Sequence, residues 1–134
     1  MVAVAVAPLV LKDTLLTIGA NDFQKHVDQV IFTPSASQIS WTGLGGNTHT
    51  DVSTATWALT LKYAQDWETA NSLSQYLFAN EGLSVAMTFK PKAAGAKSFT
   101  ATVLITPGAI GGDVNAYATA TVTLGVTGKP VLVP

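Results

Sequence analysis

Between positions 56 and 64 large apolar side chains (Trp57, Leu59, Leu61, Tyr63) alternate with Thr56, Ala58, Thr60 and Lys62. That is the period of two expected of a strand with one buried face. The period then changes. Ala70, Leu73, Tyr76, Leu77 and Asn80 recur at helical spacing, which predicts a helix over 69–81 with Leu73, Tyr76 and Leu77 as its core anchors. Thr69 is the expected N-cap and Gly82 the expected left-handed stop. Asp66 and Glu68 precede the helix, where its unpaired N–H groups favour acidic side chains. Alternation returns at Leu83, Val85, Met87 and Phe89, breaks over the polar turn 90–97, and resumes at Phe99, Ala101, Val103 and Ile105.

The flanks are organised around this centre. Val2, Val4 and Val6 alternate with alanines, which predicts an extended arm over 1–8 that lies on a partner. An imperfect strand is expected over 9–18, a turn over 19–22, and a second strand over 23–33 closed by Pro34. Positions 34–54 are rich in Ser, Thr, Gly and Asn and read as a long loop or an extended hairpin with a flexible centre at 43–47. Ile39, Trp41 and Leu44 embedded there, with Asn47 and His49, are candidate contacts to a partner. After the turn at 107–112, Ala118, Ala120, Val122 and Leu124 alternate with Thr119, Thr121 and Thr123 in a final strand, which 125–130 is expected to end. The pattern predicts a single domain over 1–134, mainly β: an antiparallel sandwich or barrel of about seven or eight strands with one flanking helix.

Composition changes that picture in one respect. Charged residues are 11% of the 134, against about 25% in ordinary soluble domains, and apolar residues are 48%. A surface so poor in charge suits a chain largely covered by copies of itself. The apolar stretch 1–11 is interrupted by Pro8 and is shorter than the roughly 18 residues that a membrane-spanning helix needs, so no membrane insertion is expected. All seven basic residues are lysines, balanced by eight carboxylates. Without arginine forks or a basic excess, tight nucleic-acid binding is not expected, whereas a near-neutral wall suits nucleic acid that slides past.

Chemistry finds little to work with. Cysteine is absent. His49-Thr50-Asp51 has ligand-type residues, but His26 belongs to another element and no third ligand is spaced with them. No Ser sits in a Gly-x-Ser-x-Gly elbow. Asp66 and Glu68 read as helix-start residues before they read as a glycosidase pair, and the glycines of 108–112 lack the Gly-Lys-Ser/Thr ending of a phosphate loop. The expectation is a non-enzyme with no catalytic residue, cofactor or metal. Trp57 is expected in the core, while Trp41 leaves a carbohydrate-binding or adhesive module open.

Trp57-x-Leu59-x-Leu61-x-Tyr63-Ala-Gln-Asp-Trp67, then Ser72-Leu-Ser-x-Tyr76-Leu77, Glu81-Gly82, and Pro107-Gly-Ala-Ile-Gly-Gly112 leading into Ala118-Thr-Ala-Thr-Val-Thr-Leu-Gly125 resemble the major tail tube proteins of long-tailed bacteriophages. The likeness runs over 57–130, and the residues before it agree in plan. The resemblance implies a structural virion protein, assembled in the host cytoplasm, whose six-copy rings stack into a tail tube. Its partners would be further copies of itself and the tail-tip and tail-terminator proteins. Genomic DNA would pass through the tube without being held, the long loop would reach an adjacent ring, and strands would join across subunits to line the channel. Tail-end proteins and secretion-machine tubes of the same fold are the neighbouring alternatives.

Overall fold

A computed structural model describes residues 1–134. The chain is mainly β, as the alternation predicts: nine strands and one short helix. The strands are β1 (Leu15–Ile18), β2 (Asn21–Asp22), β3 (Val27–Ser35), β4 (Gln38–Thr42), β5 (Thr48–Val52), β6 (Thr56–Ala64), β7 (Ser84–Lys90), β8 (Ser98–Leu104) and β9 (Thr119–Val133), with α1 (Leu73–Ala79) between β6 and β7. Seven strands form one antiparallel sheet in the order β2-β1-β7-β8-β9-β6-β3, and β4 and β5 form a separate hairpin.

The large sheet curls on itself. Three strands stand between β3 and β7 in the sheet order, yet the Phe32 and Phe89 rings lie 6.4 Å apart. The inward positions make one core: Leu16 and Ile18 from β1; Leu59, Leu61 and Tyr63 from β6; Met87 and Phe89 from β7; Val103 from β8; and Ala120, Val122 and Leu124 from β9. Leu73 and Leu77 join it from α1, both with no exposed surface, and Tyr76 packs at its edge with its ring 5.4 Å from that of Phe23. The outward positions are largely threonine, paired across strands as Thr60 with Thr123, Thr88 with Thr100, and Thr102 with Thr127. Threonine suits a pleated, solvated face through its β-branch and its hydroxyl.

Several boundaries differ from the sequence expectation, each for a local reason. The helix is shorter than 69–81. Ser72, not Thr69, is the N-cap, and no acidic residue lies in the first turn. The Asp66 carboxylate instead accepts the backbone N–H groups of Glu68 and Thr69, at 3.0 and 3.1 Å, and Asn71 at φ 62 interrupts the helical path just before Ser72. Gly82 is left-handed at φ 86, beyond the Asn80 C-cap. The strand expected over 9–18 begins only at Leu15, and Leu9 and Leu11 are exposed. Pro34 lies within β3 rather than closing it. That strand is the sheet edge, so the missing proline N–H costs no ladder bond.

The stretch 125–130 does not end the last strand either. Gly125 is registered with Ala58 on one side and Leu104 on the other, so β9 serves first β6 and then β8 along its 15 residues. A register shift opposite Thr100 and Thr102 accommodates Gly128, at φ 76, and Pro130. Trp57 is half-buried, not core. It lines a cavity of 760 Å³ with Phe32, Phe89, Phe99 and the 129–132 segment.

Candidate assembly interface

Of the two forms expected for 34–54, the structure shows the hairpin. Ile39 is registered with Asp51 and Trp41 with His49. The turn closes with the Gly43 N–H donating to the Asn47 carbonyl at 2.9 Å and the Gly46 N–H to Gly43 at 3.0 Å, Gly46 taking φ 79. Asn47 also folds its amide over Gly43, where any side chain would strike its Oδ1. Ser53 secures the base, its hydroxyl accepting the Ser37 N–H at 2.9 Å. This segment is therefore a formed element, yet every residue of β4 and β5 is exposed and neither strand pairs with the large sheet. Ile39, Trp41 and His49 line one shallow cavity of 420 Å³, with the Trp41 and His49 rings 6.0 Å apart and 30° from parallel. Leu44 stands fully exposed at the tip. Val2, Val4 and Val6 are exposed along the arm and take no part in the core.

At the opposite end of the barrel a second surface is built around α1. Gln65 is its hub: the amide Nε2 donates to the carbonyls of Gly111 and Thr119 at 2.9 and 3.0 Å, and Oε1 accepts the Gly111 N–H at 2.9 Å and the Trp67 indole N–H at 3.2 Å. One side chain thus ties the 105–118 connection to the segment before the helix. Gly108 lies so close to the Tyr63 hydroxyl that no Cβ would fit there. Trp67 meets Phe78 edge-on, centroids 6.0 Å apart, beside a cavity of 510 Å³ that Ile110 also lines. Phe78 and Ile110 are 58% and 66% exposed. The Thr69 side chain and the two turn N–H groups hold the Asp66 carboxyl below its ordinary 3.8, and burial pushes Tyr63 above its ordinary 10.0.

The sequence singled out the hairpin residues but not Gln65, Phe78 or Ile110. A glutamine carries no periodic signal, and Phe78 was masked by its position one residue off the anchoring face of the helix. A phenylalanine directly after Leu77, off the face that Leu73 and Leu77 mark, was the available clue. No group of three or more His, Cys, Asp or Glu side chains is arranged to hold a metal ion, and no helix is long and apolar enough to cross a membrane.

No protein-family model and no curated protein matches the chain. Solved structures do match in fold. One is a chain in the cryo-EM structure of the sheath/tube terminator of PVC, an extracellular contractile injection system, in its extended state. It superposes with a TM-score of 0.68 at 14% identity over 98% of this chain and 100% of the other. A chain in the sheath-tube complex of the same system, also extended, gives 0.67 at 14% identity over 93% and 90%. The architecture of this chain is thus that of a tail-tube-like fold, from one end to the other.

Proposed function

We propose that this protein is a structural subunit of a tail-like tube, six copies closing each ring and the rings stacking around an open channel. One observation carries the proposal: a hydrogen-bonded hairpin presents Ile39, Trp41 and Leu44 to solvent with no partner in its own chain. Forming such an element costs conformational entropy that a lone subunit does not recover, and a neighbouring copy is the simplest source of the missing contact. The likeness in fold to the PVC chains, which extends over nearly the whole of this chain, supports it at that level. The threonine-rich outer sheet face suits a channel wall. With a formal charge of −1 per subunit, a ring of six would carry about −6, which lets DNA pass unheld.

The PVC structures favour a second reading of the same tube, as the inner tube of a contractile machine, because both are described with a sheath. The two differ in what surrounds the tube: a bare wall in a long flexible tail, a second polymer in a contractile one. Negative-stain microscopy of concentrated protein, with and without a tail-tip nucleus, is expected to show rings and open-ended tubes. A chain that stays monomeric under both conditions overturns the proposal. Cryo-EM of native particles then separates bare from sheathed tubes.

A further inference from the structure

We propose that the two ends of the barrel are electrostatically opposite docking surfaces, so that the rim carrying α1 receives the β4–β5 hairpin and the β7–β8 turn of a second copy. This rests on the tube reading and adds to it which surfaces meet and in which polarity. The ends are defined by register. Moving from Ala64 to Thr56 along β6 is moving from Thr119 toward Val133 along β9, and Val133 is registered with Ser98, the first residue of β8. The hairpin after Ser35, the turn after Lys90 and the end of β9 therefore project from one rim. The start of α1 and the 105–118 connection form the other, joined through Gln65 and by the Gly82 N–H donating to Ile105 at 2.9 Å.

Charge divides between these rims. Segments 64–83 and 105–119 hold Asp66, Glu68, Glu81 and Asp113 and not one lysine. The 90–97 turn holds Lys90, Lys92 and Lys97 and not one carboxylate. Lys129 lies toward the same end on β9, while Asp13, whose carbonyl accepts the Ala93 N–H, and Asp51 are the carboxylates beside it. Lys25 adjoins His26, whose carbonyl accepts the Ala64 N–H at the helix rim, and Lys12 adjoins Asp13 at the other, so carboxylates outnumber lysines at the helix end and lysines outnumber carboxylates at the hairpin end.

Apolar surface follows the same division. The Trp67, Phe78 and Ile110 patch lies on the acidic rim, and Trp41 and Leu44 extend from the basic one. Exposed apolar patches at both ends, each beside opposite charge, fit each other rather than themselves. Two acidic rims repel, as do two basic ones, so head-to-head pairing is disfavoured. A contact between unlike surfaces repeats along an axis without closing. Charge then steers the encounter, and burial of the aromatic patch holds the product.

The test is a charge exchange in the full chain. Glu68, Glu81, Lys92 and Lys97 are all exposed, and the turn before α1 is held by Asp66 rather than by Glu68 or Glu81, so the variants are expected to fold. Glu68→Lys with Glu81→Lys, and separately Lys92→Glu with Lys97→Glu, should each slow tube elongation by at least about tenfold in low salt. Each exchange moves its rim by four unit charges, so a chain carrying both has two nearly neutral rims and should elongate slowly at a rate that no longer depends on salt. Wild-type elongation should slow as salt rises from about 0.05 to about 0.5 M. Circular dichroism of each variant controls for folding, and Phe78→Ser should impair elongation at every salt concentration. Wild-type tubes with charge variants that elongate normally, or a combined exchange that keeps the wild-type salt dependence, overturn the polarity and leave the tube standing. A wild-type chain that never polymerises overturns both.

Discussion

Strands β6 and β4 carry the same pattern and meet opposite fates. Both alternate large apolar with small or polar residues, Leu59, Leu61 and Tyr63 in one and Ile39 and Trp41 in the other. In β6 those side chains are buried to within 1% of full burial, because the strand lies between β3 and β9 over the core and α1 closes one end. In β4 they are more than half exposed, because the only neighbour is β5. A two-stranded hairpin has no second layer to pack against and is marginal alone. Alternation therefore reports a surface suited to burial, and the topology decides whether the chain itself supplies the cover.

If the hairpin supported the subunit as β6 does, removing it would unfold the monomer. Replacing 43–49 by a short Gly-Ser linker is expected to leave a folded monomer that elongates no tubes. Trp41→Ala should change monomer unfolding free energy by less than about 0.5 kcal/mol, the scale of surface substitutions, while visibly weakening ring stacking. Amide hydrogen exchange gives the independent readout. The β4 and β5 amides should exchange rapidly in the monomer and slowly in the tube, whereas those of β6 should be protected in both. Slow hairpin exchange in the monomer, or a shortened variant that polymerises normally, would assign stacking elsewhere, with the Val2, Val4 and Val6 arm next to be tested.

A smaller effect is expected on the other side of the comparison. Leu73 and Leu77 have no exposed surface and join the core from the one helix. Leu73→Ala should therefore cost about 2–5 kcal/mol of monomer stability, the range for a buried leucine whose site only partly collapses. Chemical denaturation of the monomer checks it. A loss under about 0.5 kcal/mol would place the helix among the surface elements with the hairpin.

These contrasts also explain what was legible in the chain. The strands β6, β7 and β8 and the helix face were readable because each has one wet and one dry side, and the period records it. The boundaries that were missed are those set by tertiary neighbours. Gly125 looks like a stop and is instead the point where β9 changes partners from β6 to β8. Pro34 looks like an end and is tolerated because β3 has no neighbour on its outer side. Trp41 and Leu44 were recognisable as apolar residues in a polar setting, but the receiving patch was not. Trp67, Phe78 and Ile110 come from three places in the sequence and meet only after Gln65 has drawn the 105–118 connection onto the helix end.

The smallest expected effect tests how that helix end is set. Asp66 begins the turn that delays the helix to Ser72, its carboxylate accepting from the Glu68 and Thr69 N–H groups. The Thr69 side chain, then these backbone donors, hold its pKa below the ordinary 3.8. A carboxyl depressed in the folded state binds its proton less readily there than in the unfolded chain. Its contribution to stability is therefore complete above the unfolded value and is lost as pH falls through the folded one. Asp66→Asn keeps an oxygen acceptor for both N–H groups but removes the titration. The variant should show a shallower fall in monomer stability below about pH 4 than the wild type, with little difference near neutrality. Denaturation midpoints measured across that range decide it, and parallel acid limbs for the two proteins would mean that the turn is held by backbone geometry rather than by the Asp66 charge.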